Sequence, residues 1–146
     1  MDYLLDVNVW IALSFERHPH FQRSNDLVET LNENQNLILC RVTQQGFLRL
    51  STTRSVYEGY GVALNSNADA IITLTRLLNM TFVRFQLEPL NLESLWYKFA
   101  SRKTASPKVW MDAYLAAFAI SADLELVTFD RDFQQYVDEG LKLRVL

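Results

Sequence analysis

Apolar residues come in two spacings along this chain. Short runs of four to six, DYLL (Asp2–Leu5), LILC (Leu37–Cys40), FVRF (Phe82–Phe85), ELVT (Glu125–Thr128) and LKLRVL (Leu141–Leu146), read as strands. Between them apolar positions recur at helical spacing, which predicts helices over Val7–Phe15, Phe21–Asn34, Asn91–Ala100 and Val109–Ala122. A further helix is expected to open at Asn67 or Asp69 and run to about Leu78. Thr43 is the expected N-cap of another, ending at Leu50. Pro19 marks Glu16–His20 as a loop, and Ser51–Ser66 reads as turn-rich and aromatic. Strands alternating with helices predict an α/β sandwich around a mainly parallel central sheet, formed by residues 1–146 as one domain.

Composition supports a packed globule. The chain has 146 residues, 49% of them hydrophobic, with nine Phe and six Tyr. Four Gly and three Pro leave little room for a glycine-rich phosphate loop. The lone Cys40 excludes an internal disulfide and a cysteine zinc site, and its apolar neighbours predict a small core residue. His18 and His20 lack nearby acids and read as surface residues. Acids inside the first apolar run argue against a signal peptide, no run reaches membrane-spanning length, and a cytoplasmic protein is expected.

Three carboxylates break segments that otherwise read as buried: Asp6 in LLDVNVWIAL, Asp112 in VWMDAYLAAFAI and Asp130 in LVTFDRDF. An unpaired buried charge is costly, so each must reach water or meet a cation. Singly they read as helix-start charges or a turn residue. Together, Asp6 and Asp130 fall just past the carboxyl ends of strands, the edge where open α/β sheets bind ligands. Converging oxygen donors without cysteine or histidine point to Mg²⁺ or Mn²⁺, which would compensate their repulsion and activate water at a phosphodiester. Asn8 and Thr128 are short polar residues placed to orient water or a carboxylate.

LLDVNVWIAL, TQQGFLRL, WMDAYLAAFA and LVTFDRDF, in that order, resemble a PIN-domain ribonuclease, and within that family the toxins of VapBC-type toxin–antitoxin pairs. The resemblance implies an α/β/α sandwich and a Mg²⁺- or Mn²⁺-dependent endoribonuclease site. Asp6, Asp112 and Asp130 would carry its acids, with Asp132 as a weaker contributor. It also implies a cognate antitoxin, a toxin homodimer, and structured RNA of the tRNA or rRNA class as substrate. One position departs from the pattern: Gln44 stands where the family usually has Glu. An amide can offer its carbonyl but brings no charge and cannot act as a base, which predicts weak metal binding.

The net charge of −3 requires that RNA be held by local cations. Arg49 and Arg54, near the end of the Gln44 helix, and Arg102, Lys103 and Lys108, before Asp112, are expected to rim the acid cleft. Trp10, Phe15 and Phe21 are expected to form an exposed apolar groove for a second copy or the antitoxin. Two other readings compete. A degenerate PIN-like module would bind RNA or protein without cutting. A phosphoryl-accepting receiver domain would need an acidic dipeptide after the first strand and a late Lys after a strand, and neither is present.

Overall fold

The computed structural model of the chain describes residues 1–146. In chain order the elements are β1 (Tyr3–Leu5), α1 (Val7–Ser14), α2 (Phe21–Glu29), β2 (Leu37–Leu39), α3 (Arg41–Ser51) and α4 (Arg54–Gly59). There follow α5 (Asn67–Leu78), β3 (Val83–Phe85), α6 (Leu92–Ala100), α7 (Val109–Ser121), β4 (Glu125–Thr128), a 3₁₀ helix (Arg131–Glu139) and β5 (Lys142–Val145). The sheet has five strands in the order β3-β2-β1-β4-β5. Every pairing is parallel, with Tyr3 opposite Leu37 on one side and Glu125 on the other.

Side chains alternate across each strand, so the two faces of the sheet carry different cores. Leu4, Ile38 and Leu126 pack under α6, α7 and the 3₁₀ helix, with Phe118 and Phe133. Leu5, Leu39 and Val127 pack under α1, α3 and α5, with Trp10, Phe47 and Leu74. The result is the expected α/β/α sandwich, with a wholly parallel sheet.

Four local expectations are corrected. The second helix stops at Glu29, well short of Asn34, because Asn32 and Gln35 side chains bond the backbone of the turn. Thr43 is not the N-cap of α3: Cys40 caps it, and Thr43, in the first turn, accepts the Cys40 N–H at 3.0 Å. The turn-rich segment contains α4, whose one buried residue, Tyr57, leaves no periodicity to read. The 3₁₀ helix was unforeseen, and it buries Phe133 and Tyr136 at the three-residue spacing of its winding.

A fifth correction concerns surfaces. Trp10 and Phe15 are 1% and 8% exposed and belong to the core, and Phe21 is half-buried, so these three do not form an exposed groove together. The apolar hollow at the first two helices is lined by Trp10, Leu13 and Val28 with Leu77, Met80 and Phe82. The exposed aromatics are Trp110, at 54%, on the first turn of α7, and Tyr97, at 52%, on α6.

Candidate active site at the carboxyl edge of the sheet

The carboxylate in the first apolar run stands where β1 ends and α1 begins. As the N-cap of α1, Asp6 accepts the Val7 N–H at 2.7 Å, which offers its charge to the helix start. Its second oxygen accepts the Thr128 hydroxyl at 2.7 Å. Thr128, fully buried at the end of β4, is the hub of the site. Its oxygen also accepts the Asp130 N–H at 3.0 Å and the Asn8 side-chain amide at 3.3 Å. The Asn8 carbonyl in turn accepts the Phe129 N–H at 3.4 Å. The parallel pairing of β1 with β4 sets this register, since Leu5 lies opposite Val127.

Asp130 caps the 3₁₀ helix, accepting the Asp132 N–H at 2.8 Å. Asp112 occupies the first turn of α7. Burial pushes its carboxyl up to about 6, and the nearby charges of Asp6, Asp130 and Asp132 push the same way against Lys108. Asp6 is also raised, first by burial and further by Asp130, against the Thr128 and Val7 hydrogen bonds. The expected acids therefore act on one another through space. They do not close into a cage: no three acidic, histidine or cysteine side chains stand in a metal-holding group. An all-oxygen set of mutually destabilised carboxylates is nonetheless the donor chemistry that suits a hard divalent cation.

Gln44 is half-buried in the first turns of α3 and accepts a hydrogen bond from Arg41 rather than from any residue of the acid cluster. Gly46 brings α3 close to Asp6, because a Cβ there would stand 2.6 Å from Val7 Cγ2. Of the expected cations, only Lys108 acts on an acid of the cluster, Asp112. Arg102 bonds Gln135 beside the 3₁₀ helix, and Lys103 is exposed on the same loop. Arg49 lines a depression against α5, and Arg54 pairs with Glu58 at 2.8 Å on α4, so neither contacts the acid edge. The reason is helical geometry: five residues beyond Gln44, Arg49 points to a different side of α3.

Two further residues border the site: His20, expected at the surface but half-buried, and Arg41, which carries no sequence signal. The loop after α1 folds back so that the His20 ring stacks over Phe129 at 4.5 Å, beside Asp130. Arg41 sits next to the cap of α3, with its guanidinium 4.7 Å from the Phe85 ring centroid. Neither contact has a sequence signal, since each joins elements distant along the chain.

The PIN domain family model matches residues 3–139. Ribonuclease VapC41 of Mycobacterium tuberculosis is 42% identical over 144 residues, covering 98% of this chain and 97% of that protein. Ribonuclease VapC44 of the same organism is 32% identical over 132 residues, or 90% of this chain and 87% of that one. Among solved structures, VapBC-1 from nontypeable Haemophilus influenzae is similar in fold, with a TM-score of 0.67 at 18% identity over 99% of this chain and 98% of that one. The Mycobacterium tuberculosis sarcin-ricin loop cleaving toxin VapC20 gives 0.65 at 16% identity, covering 95% of both chains.

Proposed function

This chain belongs to the PIN-domain family, and from that premise we propose that it is a divalent-metal-dependent endoribonuclease, the toxin of a type II toxin–antitoxin pair. The observation that carries the reading is the Asp112 carboxyl, pushed up to about 6 by burial and by the charges of Asp6, Asp130 and Asp132. A protein that only needed to fold would have little use for such a cluster, and perturbed carboxylates gather at functional sites. Similarity to named ribonucleases over nearly the whole chain supports the same activity.

Asp6, Asp112 and Asp130 would hold the ion, Mg²⁺ or Mn²⁺. Bound there, it supplies Lewis acidity to water and to the phosphodiester. The chain's own residues do the positioning. Thr128 fixes Asp6 by its hydroxyl, Asn8 fixes Thr128, and Lys108, with Arg102 and Lys103 on the same loop, draws RNA phosphates to the first turn of α7. Gln44 leaves the cluster one charge short of the family pattern. Structured RNA of the tRNA or rRNA class is the substrate, and residues 1–146 work as one domain, as a homodimer in the cytoplasm. No helix is long and apolar enough to cross a membrane. The partner is a cognate antitoxin, supported by similarity to toxins solved as VapBC complexes.

The test is cleavage of total tRNA and rRNA with Mg²⁺, with Mn²⁺ and with EDTA. The expected result is discrete fragments with either ion, none with EDTA, and none from Asp130→Asn at any ion concentration. Cleavage that persists in Asp130→Asn, or no cleavage by the wild type with Mn²⁺, overturns the proposal.

A further inference from the structure

The largest concavity of the molecule is not the acid cluster. It is a groove of about 580 Å³ at the same carboxyl edge of the sheet, beyond the ends of β2 and β3 and against the flank of α7. That volume falls within the ~300–1,000 Å³ of small-molecule sites. Phe85, Trp96, Trp110 and Tyr114 wall it, and Arg41, Gln86 and Glu88 stand among them.

Resting on the ribonuclease reading above, we infer that this groove is a nucleobase subsite. A base of the bound RNA strand, near the phosphodiester held at Asp6, Asp112 and Asp130, stacks on Trp110, while Arg41 meets the adjoining phosphate.

Four observations carry this. First, Trp110 is 54% exposed although it belongs to an apolar helix that is otherwise mostly buried. A large flat ring left to solvent at the mouth of a concavity suits stacking on a base. Second, the walls are already fixed. The Trp96 indole N–H donates to the Trp110 carbonyl at 2.8 Å, and its ring meets Tyr114 edge-on at 5.4 Å. The Tyr114 hydroxyl donates to Glu88 at 2.8 Å. Third, the position is right. Trp110 and Asp112 are two residues apart in the first turn of α7, so their side chains leave it about 200° apart, on opposite flanks of a helix ~10 Å across. Neighbouring nucleotides of one strand span that separation.

Fourth, a cation stands at the groove for a phosphate to meet. Arg41 lies over Phe85 and donates to Gln44, and Lys108 is the N-cap of α7. Gln86 and Glu88 add an amide and a carboxylate capable of reading the edge of a base. The lining is open and mostly apolar, so a protein face is the rival occupant that the experiment has to separate from a base.

The experiment measures binding, so it does not depend on cleavage. Fluorescein-labelled pentaribonucleotides, each with one variable position, are titrated against Asp6→Asn protein with Mg²⁺ and followed by anisotropy. A matching set carries an abasic nucleotide at that position. With the groove intact, one abasic position weakens binding roughly 5- to 150-fold. Adding Trp110→Ala causes a similar loss with the intact oligonucleotide and makes the abasic change silent, whereas Trp110→Phe restores most of the effect.

Several results overturn the inference. One is undetectable oligonucleotide binding; another is an abasic effect undiminished by Trp110→Ala. A third is oligonucleotide binding unaffected by Trp110→Ala while sedimentation shows that it splits a dimer, which would make the groove a contact between copies. Failure of the ribonuclease reading is seen separately, as absent metal-dependent cleavage by the wild type while the Trp110-dependent binding remains.

Discussion

The two ends of strand β4 treat acidic residues in opposite ways. Where the strand begins, Asp123 meets Lys142 at 2.6 Å and Glu125 meets Arg144 at 2.8 Å. The adjacent Asp2 is engaged by Asn36, whose backbone N–H it accepts at 2.8 Å. Beyond the other end, burial raises the Asp112 carboxyl to about 6, and Asp6, Asp130 and Asp132 push the same way, with Lys108 the cation acting against them. One strand thus separates an edge of paired charges from the edge proposed to take a ligand. The carboxyl edge is left electrostatically unsettled by the fold, which is where departures from ordinary stabilising rules are expected to be functional.

The sharpest way to break this contrast is Asp6→Asn. Partners that merely orient a metal ligand cost ~10–100-fold when removed, so loss of a proposed ligand should exceed about 100-fold in RNA cleavage. Thr128→Val, which deletes the hydroxyl that fixes Asp6, should fall within that ~10–100-fold interval. Single-turnover cleavage at saturating Mn²⁺ measures both.

The next effect is on stability. Raising the Asp112 carboxyl from 3.8 to about 6 means that its native-state proton stabilises the fold fully below about pH 4. That contribution is lost as pH rises through about 6. With half-exposed groups screened by solvent, the resulting penalty at neutral pH is about 1–2 kcal/mol. Asp112→Asn should therefore raise the urea midpoint in EDTA at pH 7.5 and lose that advantage by pH 4. Saturating Mg²⁺ should reverse the order of the two proteins. At the other end of β4, Glu125→Gln should do the opposite: it destabilises by less than about 1 kcal/mol and leaves cleavage unchanged.

The smallest effect belongs to Gln44→Glu. The new carboxylate would face Arg41, and an exposed pair of this kind is worth about 0.2–1 kcal/mol. Calorimetric titration should show a tightening of Mg²⁺ binding smaller than the loss caused by Asp6→Asn. Unchanged or weaker binding would remove Gln44 from the neighbourhood of the ion.

What was readable in the sequence follows from how local each signal is. Val109–Ser121 and Glu125–Thr128 emerge clearly because burial on several sides produces long apolar runs. The acids were visible as interruptions of such runs, and Asn8 and Thr128 as short polar residues beside them. Thr43 misled because its hydroxyl does perform a capping bond, but from within the first turn. Arg49 and Arg54 were placed at the cleft by nearness along the chain, whereas helix packing turns one towards α5 and gives the other to Glu58. Arg41 and the aromatic groove were invisible for the converse reason: β3, α3, α6 and α7 meet there only once the sheet is ordered.

The hub at Thr128 also bears on how the protein is made. Asp6 precedes by more than a hundred residues the hydroxyl that fixes it and the backbone that carries Asp130, which arrive only when residues 128 to 130 have been added. Because chains grow from the N-terminus and domains fold as units, an unfinished or prematurely ended copy holds one acid without its anchor. Assembly of the acid site thereby waits for residues far along the chain from Asp6, a built-in delay for an enzyme whose proposed substrates include the RNA of the machinery that makes it.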